Sequence, residues 1–445
     1  MAGAVRRAGA VVAALAAASG GMLAAGSLAA AQPAAKGTPT VVSAAASTST
    51  WQRLPTPDPN KDTELDSVSC TSPTACTAVG WTSTGGRLTT PVSLAVDLLV
   101  LPVSVTSVGS GGGTAPSTTV AAPPSAARSV LSRLVGGSGW LRSAAKGFHS
   151  SAVAERWNGR SWSAQSLPAA STNELLTSVS CSTNARCLAV GLGLNASGSL
   201  AVPIAYQWTR SHWQRLTLPV GPLVLLGVDC PAWNRCLAVG AGTGPSASAL
   251  RWDGSRWRTV VLAKAPAGTE PLLDSVSCSS AWRCAAAGAV ASSQTVRPFA
   301  EQLTGRGWTA QRFLSATGFA TGVSCATSSC RLAGLAGTSN VNVLHPFLAE
   351  ANGGSWNRQY GPSADAVLNG VACPTADSCL AVGASQVGQN GSDTFAEALS
   401  GSTWSTEPTV PAADPSRSLL GVSCPTSTWC VAAGEAGGES LVERS

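Results

Sequence analysis

Seven close pairs of cysteines constrain this chain more than any other feature. They are Cys70/Cys76, Cys181/Cys187, Cys230/Cys236, Cys278/Cys284, Cys325/Cys330, Cys373/Cys379 and Cys424/Cys430. From Cys181 onward the first members lie 47 to 51 residues apart, and Cys70 to Cys181 spans 111 residues, one period plus an insertion. A fixed period of this size is the signature of a repeat architecture. Each pair is read as a disulfide spanning the turn between two antiparallel strands, where opposed Cα atoms lie about 4.5–5.5 Å apart, within bridging reach. On a loop-entropy argument each short bridge is worth roughly 2 kcal/mol. Metal binding would need clustered ligands, usually with histidine. His149, His212 and His345 fall in different units, so neither a metal nor a cofactor is expected.

One unit reads as four short strands: 175–181, 187–191, 203–208 and 213–218. The second includes the phrase CLAVG, and a matching glycine closes it in every unit: Gly80, Gly191, Gly240, Gly288, Gly334, Gly383 and Gly434. Between the third and fourth strands lies a tight turn, such as Asn158-Gly159 or Asp253-Gly254, of the kind two-residue hairpins favour. A tryptophan follows that glycine at 162, 257, 308, 356 and 404, and so large a ring reads as a wedge between neighbouring sheets. Helix-length apolar periodicity is missing. The expected fold is all-β: a seven-bladed β-propeller with four-stranded antiparallel blades. The last residues, 439–445, match a third strand, and Trp51-Gln52-Arg53-Leu54 matches a fourth. One blade is therefore expected to combine three C-terminal strands with one N-terminal strand, which closes the ring without an open sheet edge.

Four segments are expected. Residues 1–31, with Arg6, Arg7, an apolar run and Ala29-Ala30-Ala31, read as a secretion signal. Residues 32–47 read as a flexible linker and 48–445 as the propeller. Residues 84–150 read as an insertion in the loop between second and third strands, largely disordered because of its run GSGGGTAPSTTVAAPPSAA. Export, to the medium or the cell surface, agrees with the cysteine usage. No membrane span is expected in the mature chain, because the apolar run at 91–105 is broken by two prolines and Asp97.

The formal net charge of +6 says little about partners. Arg6 and Arg7 belong to the signal, and 85–150 sets Arg87, Arg128, Arg133, Arg142 and Lys146 against Asp97 alone. The rest is nearly neutral, so no nucleic-acid footprint is expected. In an up-and-down blade the 1–2 and 3–4 turns share one face. Those turns are uniform and read as structural. The 2–3 loops and 4–1 connections share the other face and vary in sequence, which is where binding usually resides. Acidic residues assigned to the 4–1 connections are Asp58, Asp62, Glu64, Asp66, Glu174, Glu270, Asp274, Asp365 and Asp414, and Asp58, Asp62, Glu174, Glu270, Asp365 and Asp414 make a candidate axial binding site. A glutamate also recurs in the third strand at 155, 301, 350, 397 and 443, and such recurrence points to packing between blades.

The pattern V-S-C-x5-C-x-A-V-G followed by W-x-G-x-x-W resembles repeats of exported actinobacterial β-propeller proteins, and the abundance of Arg, Ala and Gly fits a high-GC source. Gly401-Ser402-Thr403-Trp404 is similar to the tail of the Asp-box of sialidase-type propellers, although Leu399 stands where the aspartate belongs. That resemblance would imply a tyrosine nucleophile. The two tyrosines, Tyr206 and Tyr360, fall in or at the end of strands, away from the axis. No other catalytic motif occurs. The reading is a monomeric, non-catalytic module that binds a glycan or protein ligand. The alternative is a glycoside hydrolase or lyase-like enzyme using the axial loop carboxylates.

Overall fold

The computed structural model describes residues 51–57, 62–84, 149–168, 173–194, 201–219, 222–242, 247–292, 296–305, 307–313, 317–337, 345–352, 354–359, 361, 366–387, 391–411 and 417–445. The expected signal (1–31) and linker (32–47), and all but the outer edges of the 84–150 insertion, lie outside these residues. Every regular element described is a strand, and none is a helix. The protein is a β-propeller of four-stranded antiparallel meanders.

The unit around Cys181 shows the pattern. Its strands are Asn173–Thr183, Arg186–Leu194, Ala201–Thr209 and His212–Arg215, paired in that order. The first two are longer than sequence reasoning placed them, because the hairpin turn is only Asn184-Ala185 and pairing continues past both cysteines. The expected end of the second strand at Gly191 is also corrected: the glycine lies mid-strand, opposite a β-bulge. The register shifts between Leu176 and Ser178, and Gly191 faces Leu176. A Cβ on Gly191 would stand 2.0 Å from the Leu175 carbonyl oxygen. The same bulge occurs in all seven disulfide-bearing units, opposite the matching glycine. A bulge brings one backbone close to another and leaves no room for a side chain there.

Seven disulfides join the first and second strands: Cys70–Cys76, Cys181–Cys187, Cys230–Cys236, Cys278–Cys284, Cys325–Cys330, Cys373–Cys379 and Cys424–Cys430. Their Cα separations, 3.9–4.1 Å, are shorter than sequence reasoning placed them, because the bridge draws the two backbones together at the end of the hairpin. Cys70/Cys76, Cys181/Cys187, Cys278/Cys284 and Cys325/Cys330 are directly opposed in the ladder. At Cys373/Cys379 and Cys424/Cys430 the register shifts across the bridge instead, between Ala372 and Thr375 and between Ser423 and Thr426. The first strand of the Cys230/Cys236 unit ends at Asp229, one residue before its bridge.

Hydrogen bonding groups the strands into six sheets. One sheet is eight-stranded because a single pair, Ala241 opposite Leu272, bridges the units of Cys230 and Cys278. In another sheet Gln52 and Arg53 pair with Arg444 and Glu443 beside Trp429–Ala436 and Arg417–Thr426.

Packing between sheets builds the core. Each buried apolar cluster draws on two units that follow one another in the chain, as when Leu188, Val190 and Ala205 meet Leu225, Leu250 and Trp257. One cluster instead joins the first unit to the last: Leu65, Val68 and Trp162 pack with Val431, Ala433 and Val442. The fourth-strand tryptophans are the wedges, and all but the half-buried Trp308 are buried. Trp51 fills this role between Leu380 and Val382 on one side and Leu419 and Ala432 on the other.

A hydrogen-bond ladder runs through the V-S-C serines. Each side chain accepts the backbone N–H of the first cysteine in the following unit. Ser69 serves Cys181 at 3.0 Å, Ser180 serves Cys230 at 2.9 Å, Ser277 serves Cys325 at 3.0 Å and Ser324 serves Cys373 at 2.9 Å. Asp229 replaces serine once and accepts from Cys278 at 2.6 Å. Ser423, in the last unit, accepts from Cys70 in the first at 2.9 Å. Only Ala372 lacks a side-chain acceptor at this position.

Candidate functional site

The carboxylates assigned to the 4–1 connections fall in different settings where they are described. Asp58, Asp365 and Asp414 lie outside the described residues. Asp62 is in a connection, with φ of 77°, and its N–H donates to the Gly438 carbonyl at 2.7 Å, beside the last hairpin. Glu270 is the first residue of the strand Glu270–Ser280, opposite Ala291, and is half-buried. Glu174 is corrected outright from a loop position: it lies within the strand Asn173–Thr183 and is buried. Glu64, Asp66 and Asp274 likewise belong to first strands. Strand pairing reaches farther toward the loop face than the apolar run in the sequence suggested, and it absorbs these residues.

The cysteines serve the frame and form no surface site. The second member of every pair is buried: Cys76, Cys187, Cys236, Cys284, Cys330, Cys379 and Cys430. Each lies in an apolar cluster between blades, as Cys187 does with Tyr206 and Trp213, and Cys379 with Leu399 and Trp404. With both sulfurs of each pair spent on the bridge, none is left to act as a ligand or nucleophile among the described residues.

Glu174 accepts the Tyr206 hydroxyl at 2.5 Å and pairs with Arg215 at 2.8 Å. Burial, and then the bond to Glu174, push the Tyr206 phenol well above its usual range. A tyrosine held by a carboxylate is nucleophile chemistry in an open cleft. Here Tyr206 is 0 % exposed, and the pair ties one blade together. Tyr360 lies outside the described residues.

The recurrent third-strand glutamates are also interior. Glu155, Glu301, Glu397 and Glu443 occupy equivalent positions and are fully buried. Glu350 sits one residue out of step, half-exposed, and pairs with buried Arg331 at 2.5 Å. Glu301 accepts the Ala263 N–H at 2.8 Å from the connection leaving the preceding unit. Glu443 faces Arg417 at 3.4 Å, and Arg417 also binds Asp393 and the Val410 carbonyl. Burial raises both Glu301 and Glu443 to about 7, although Ala263 and Arg417 respectively oppose the rise.

The residue displaced at each bulge repeats in register: Asp66, Thr177, Leu226, Asp274, Thr321, Asn369 and Leu420. Where it is Thr or Asn, it donates to a carbonyl of the next unit: Thr177 to Leu225 at 3.1 Å, Thr321 to Leu368 at 2.7 Å and Asn369 to Leu419 at 2.8 Å. Asp66 and Asp274 hold the same position, and a carboxyl donates only when protonated. Burial raises Asp274 to about 7. It raises Asp66 too, against a bond to Glu64 and reinforced by the charge of Glu435. Burial holds these carboxyls toward their neutral form, which suits a donor role and not a fixed anionic ligand. Among the described residues no group of three or more His, Cys, Asp or Glu side chains could hold a metal ion. Sequence reasoning missed the ladder, the bulge donors and the Glu174–Tyr206 bond; the recurrence of serine before the first cysteine was the available signal.

No protein-family profile and no curated relative matches the chain. Solved structures with similar folds include YCF48 from Cyanidioschyzon merolae, at 14% identity, covering 88% of this chain and 98% of that one, with a TM-score of 0.49. The phage phi92 endosialidase matches at 11% identity over 89% of this chain and 68% of its own, with a TM-score of 0.46. A fungal lectin from Aleuria aurantia, a six-bladed β-propeller with fucose recognition, matches at 14% identity over 60% of this chain and 88% of its own, with a TM-score of 0.39.

Proposed function

We propose that the chain is an exported, seven-bladed propeller whose ring closes in a blade shared by residues near 51 and near 444, and that it is a non-catalytic binding module. The ring reading is supported by the ladder rung from Ser423 to Cys70, by the cluster joining Leu65 to Val431, and by the pairing of Gln52 with Arg444. The eight-stranded sheet then counts as two blades bridged at one residue pair. Seven disulfides fit an oxidising, extracellular setting. No described helix is long and apolar enough to cross a membrane.

The observation that carries the binding role is the internal use of the carboxylates. Glu174, Glu301 and Glu443 hold the scaffold together, and burial holds Asp66 and Asp274 toward the protonated state. A frame with recurring ties and connections of dissimilar sequence suits a monomer that binds a glycan or protein ligand. A glycan and protein array probed with the purified full chain tests this reading. Saturable binding without turnover is the expected result. Hydrolysis of a chromogenic glycoside that Glu270→Gln abolishes would replace it with the enzymatic reading.

A further inference from the structure

The uniform turn face is not chemically uniform. In three units the 3–4 turn rests on its own 1–2 turn: the Arg210 N–H donates to the Ala185 carbonyl, the Gly305 N–H to Trp282 and the Gly401 N–H to Asp377. Both kinds of turn therefore share one surface. Across the first four units that surface is arginine-rich. Arg160, Arg210 and Arg256 stand in 3–4 turns, and Arg186, Arg235 and Arg283 precede the second cysteine of their pairs; all six are exposed. Asp253 is the only acidic residue in the described turns of these units, and its charge is engaged. The N–H groups of Arg256 and Ser255 and the Ser255 hydroxyl bind it, Arg258 reaches it at 3.0 Å, and together they hold its carboxyl well below the usual range. In the remaining units the described turns, 327–328, 376–377, 401–402 and 427–428, carry one charge, Asp377.

Indole rings are interleaved with the guanidinium groups. Arg186 lies 4.8 Å over Trp233 in the next unit, and Arg235 repeats the step toward Trp282 at 5.9 Å, with Arg251 over the same ring at 4.6 Å. A guanidinium laid flat on a ring is oriented while its in-plane N–H groups still point outward. Arg283 continues the series, but the following turn offers Thr327 and Ser328 and no ring. Trp282 itself is 47% exposed, one of two large apolar side chains so displayed among the described residues. The scaffold needs neither the charge surplus nor that exposed ring, since the last three units turn without them.

We propose that this arginine–tryptophan band, on the face opposite the variable loops, binds a polyanionic glycan. Guanidinium groups would take its acidic groups, and Trp282 would lie against a sugar ring. The band crosses four consecutive units, so it suits an extended polymer better than a single residue. Arginine forks suit carboxylate and phosphate alike. The oxidising compartment implied by the disulfides favours an acidic polysaccharide over nucleic acid as the polymer encountered.

The test uses the full, disulfide-intact chain and titration calorimetry with polygalacturonate, against dextran as the neutral polymer and a single-stranded oligodeoxynucleotide. Expected are saturable binding to polygalacturonate, none to dextran, and a weakening of about tenfold or more between 20 and 200 mM salt. The triple variant Arg160→Glu/Arg210→Glu/Arg283→Glu should weaken binding at least about tenfold, and Trp282→Ala by about threefold, with unchanged melting temperatures. If the triple variant fails to fold, Arg283→Glu alone carries the test, with a drop of about twofold or more. No binding to polygalacturonate, an affinity indifferent to these substitutions, or tighter binding of the oligonucleotide would each overturn the proposal.

Discussion

Trp51 offers the most direct measure of how residues near the start of the described chain are built into the last sheet. It is 4% exposed and lies between Leu380, Val382 and Ala396 of one unit and Leu419, Ala432 and Leu441 of the next. Replacing it with alanine leaves the backbone pairing of Gln52 and Arg53 possible and removes only the wedge. Removing a buried aromatic of this kind costs about 3–5 kcal/mol. Two other wedges calibrate the measurement. Trp213, 2% exposed, occupies the same place in a unit made of consecutive strands, whereas Trp308 is only half-buried. Urea unfolding followed by far-ultraviolet circular dichroism should show Trp51→Ala and Trp213→Ala lowering stability alike and Trp308→Ala lowering it less. A Trp51→Ala protein within about 0.5 kcal/mol of the parent would mean that the N-terminal strand is not part of the folded ring, and the reasoning would fail.

Other outcomes follow from the same geometry. Glu301, Glu443 and Asp274 are raised to about 7 and Asp229 to about 6, in each case chiefly by burial. The folded state thus holds protons that the unfolded chain releases near pH 4. Their stabilising effect is complete below that pH and is lost as pH rises through about 7, so the melting temperature at pH 5 should exceed that at pH 8. Asp274→Asn supplies a donor that does not ionise. It should raise stability by about 1–3 kcal/mol at pH 8, with little effect at pH 4.5, in paired thermal melts. Gly383→Ala would place a methyl carbon 1.9 Å from the Val367 carbonyl oxygen, and soluble yield after oxidative refolding should collapse. Ala372→Ser adds the missing acceptor opposite Cys424 and should stabilise by about 0.5–1.5 kcal/mol in chemical denaturation.

The parts of this fold that were legible in the sequence are local. Cysteines five or six residues apart, tight-turn glycines and a tryptophan shortly after them all act within one hairpin, and a repeat multiplies the signal. The reason for the mid-strand glycines was hidden, because the bulge they face belongs to the neighbouring strand. The serine ladder joins atoms 48 to 50 residues apart in most rungs, 112 in one and 353 in another, so a serine in the V-S-C phrase gives no local sign of its partner. Glu174 was misplaced because its strand begins at Asn173, before the apolar run that marked it. The charge of the turn face was obscured by averaging. Arginines spread along the chain gather on one surface only after four units are stacked.

The ladder has a further consequence for the molecule at high concentration. The first strand of a blade is a sheet margin, and an exposed margin is a template onto which a strand from another molecule can add. In six of the seven units that margin is already capped from within: the cysteine N–H that a foreign strand would seek is held by the hydroxyl or carboxylate of the adjacent blade. The opposite margins are strands of two to five residues, one of them the parallel strand Arg312–Phe313 beside Ser355–Gln359, too short to recruit a partner for long. The described β-structure is thereby guarded against strand addition by the same bonds that tie neighbouring units together.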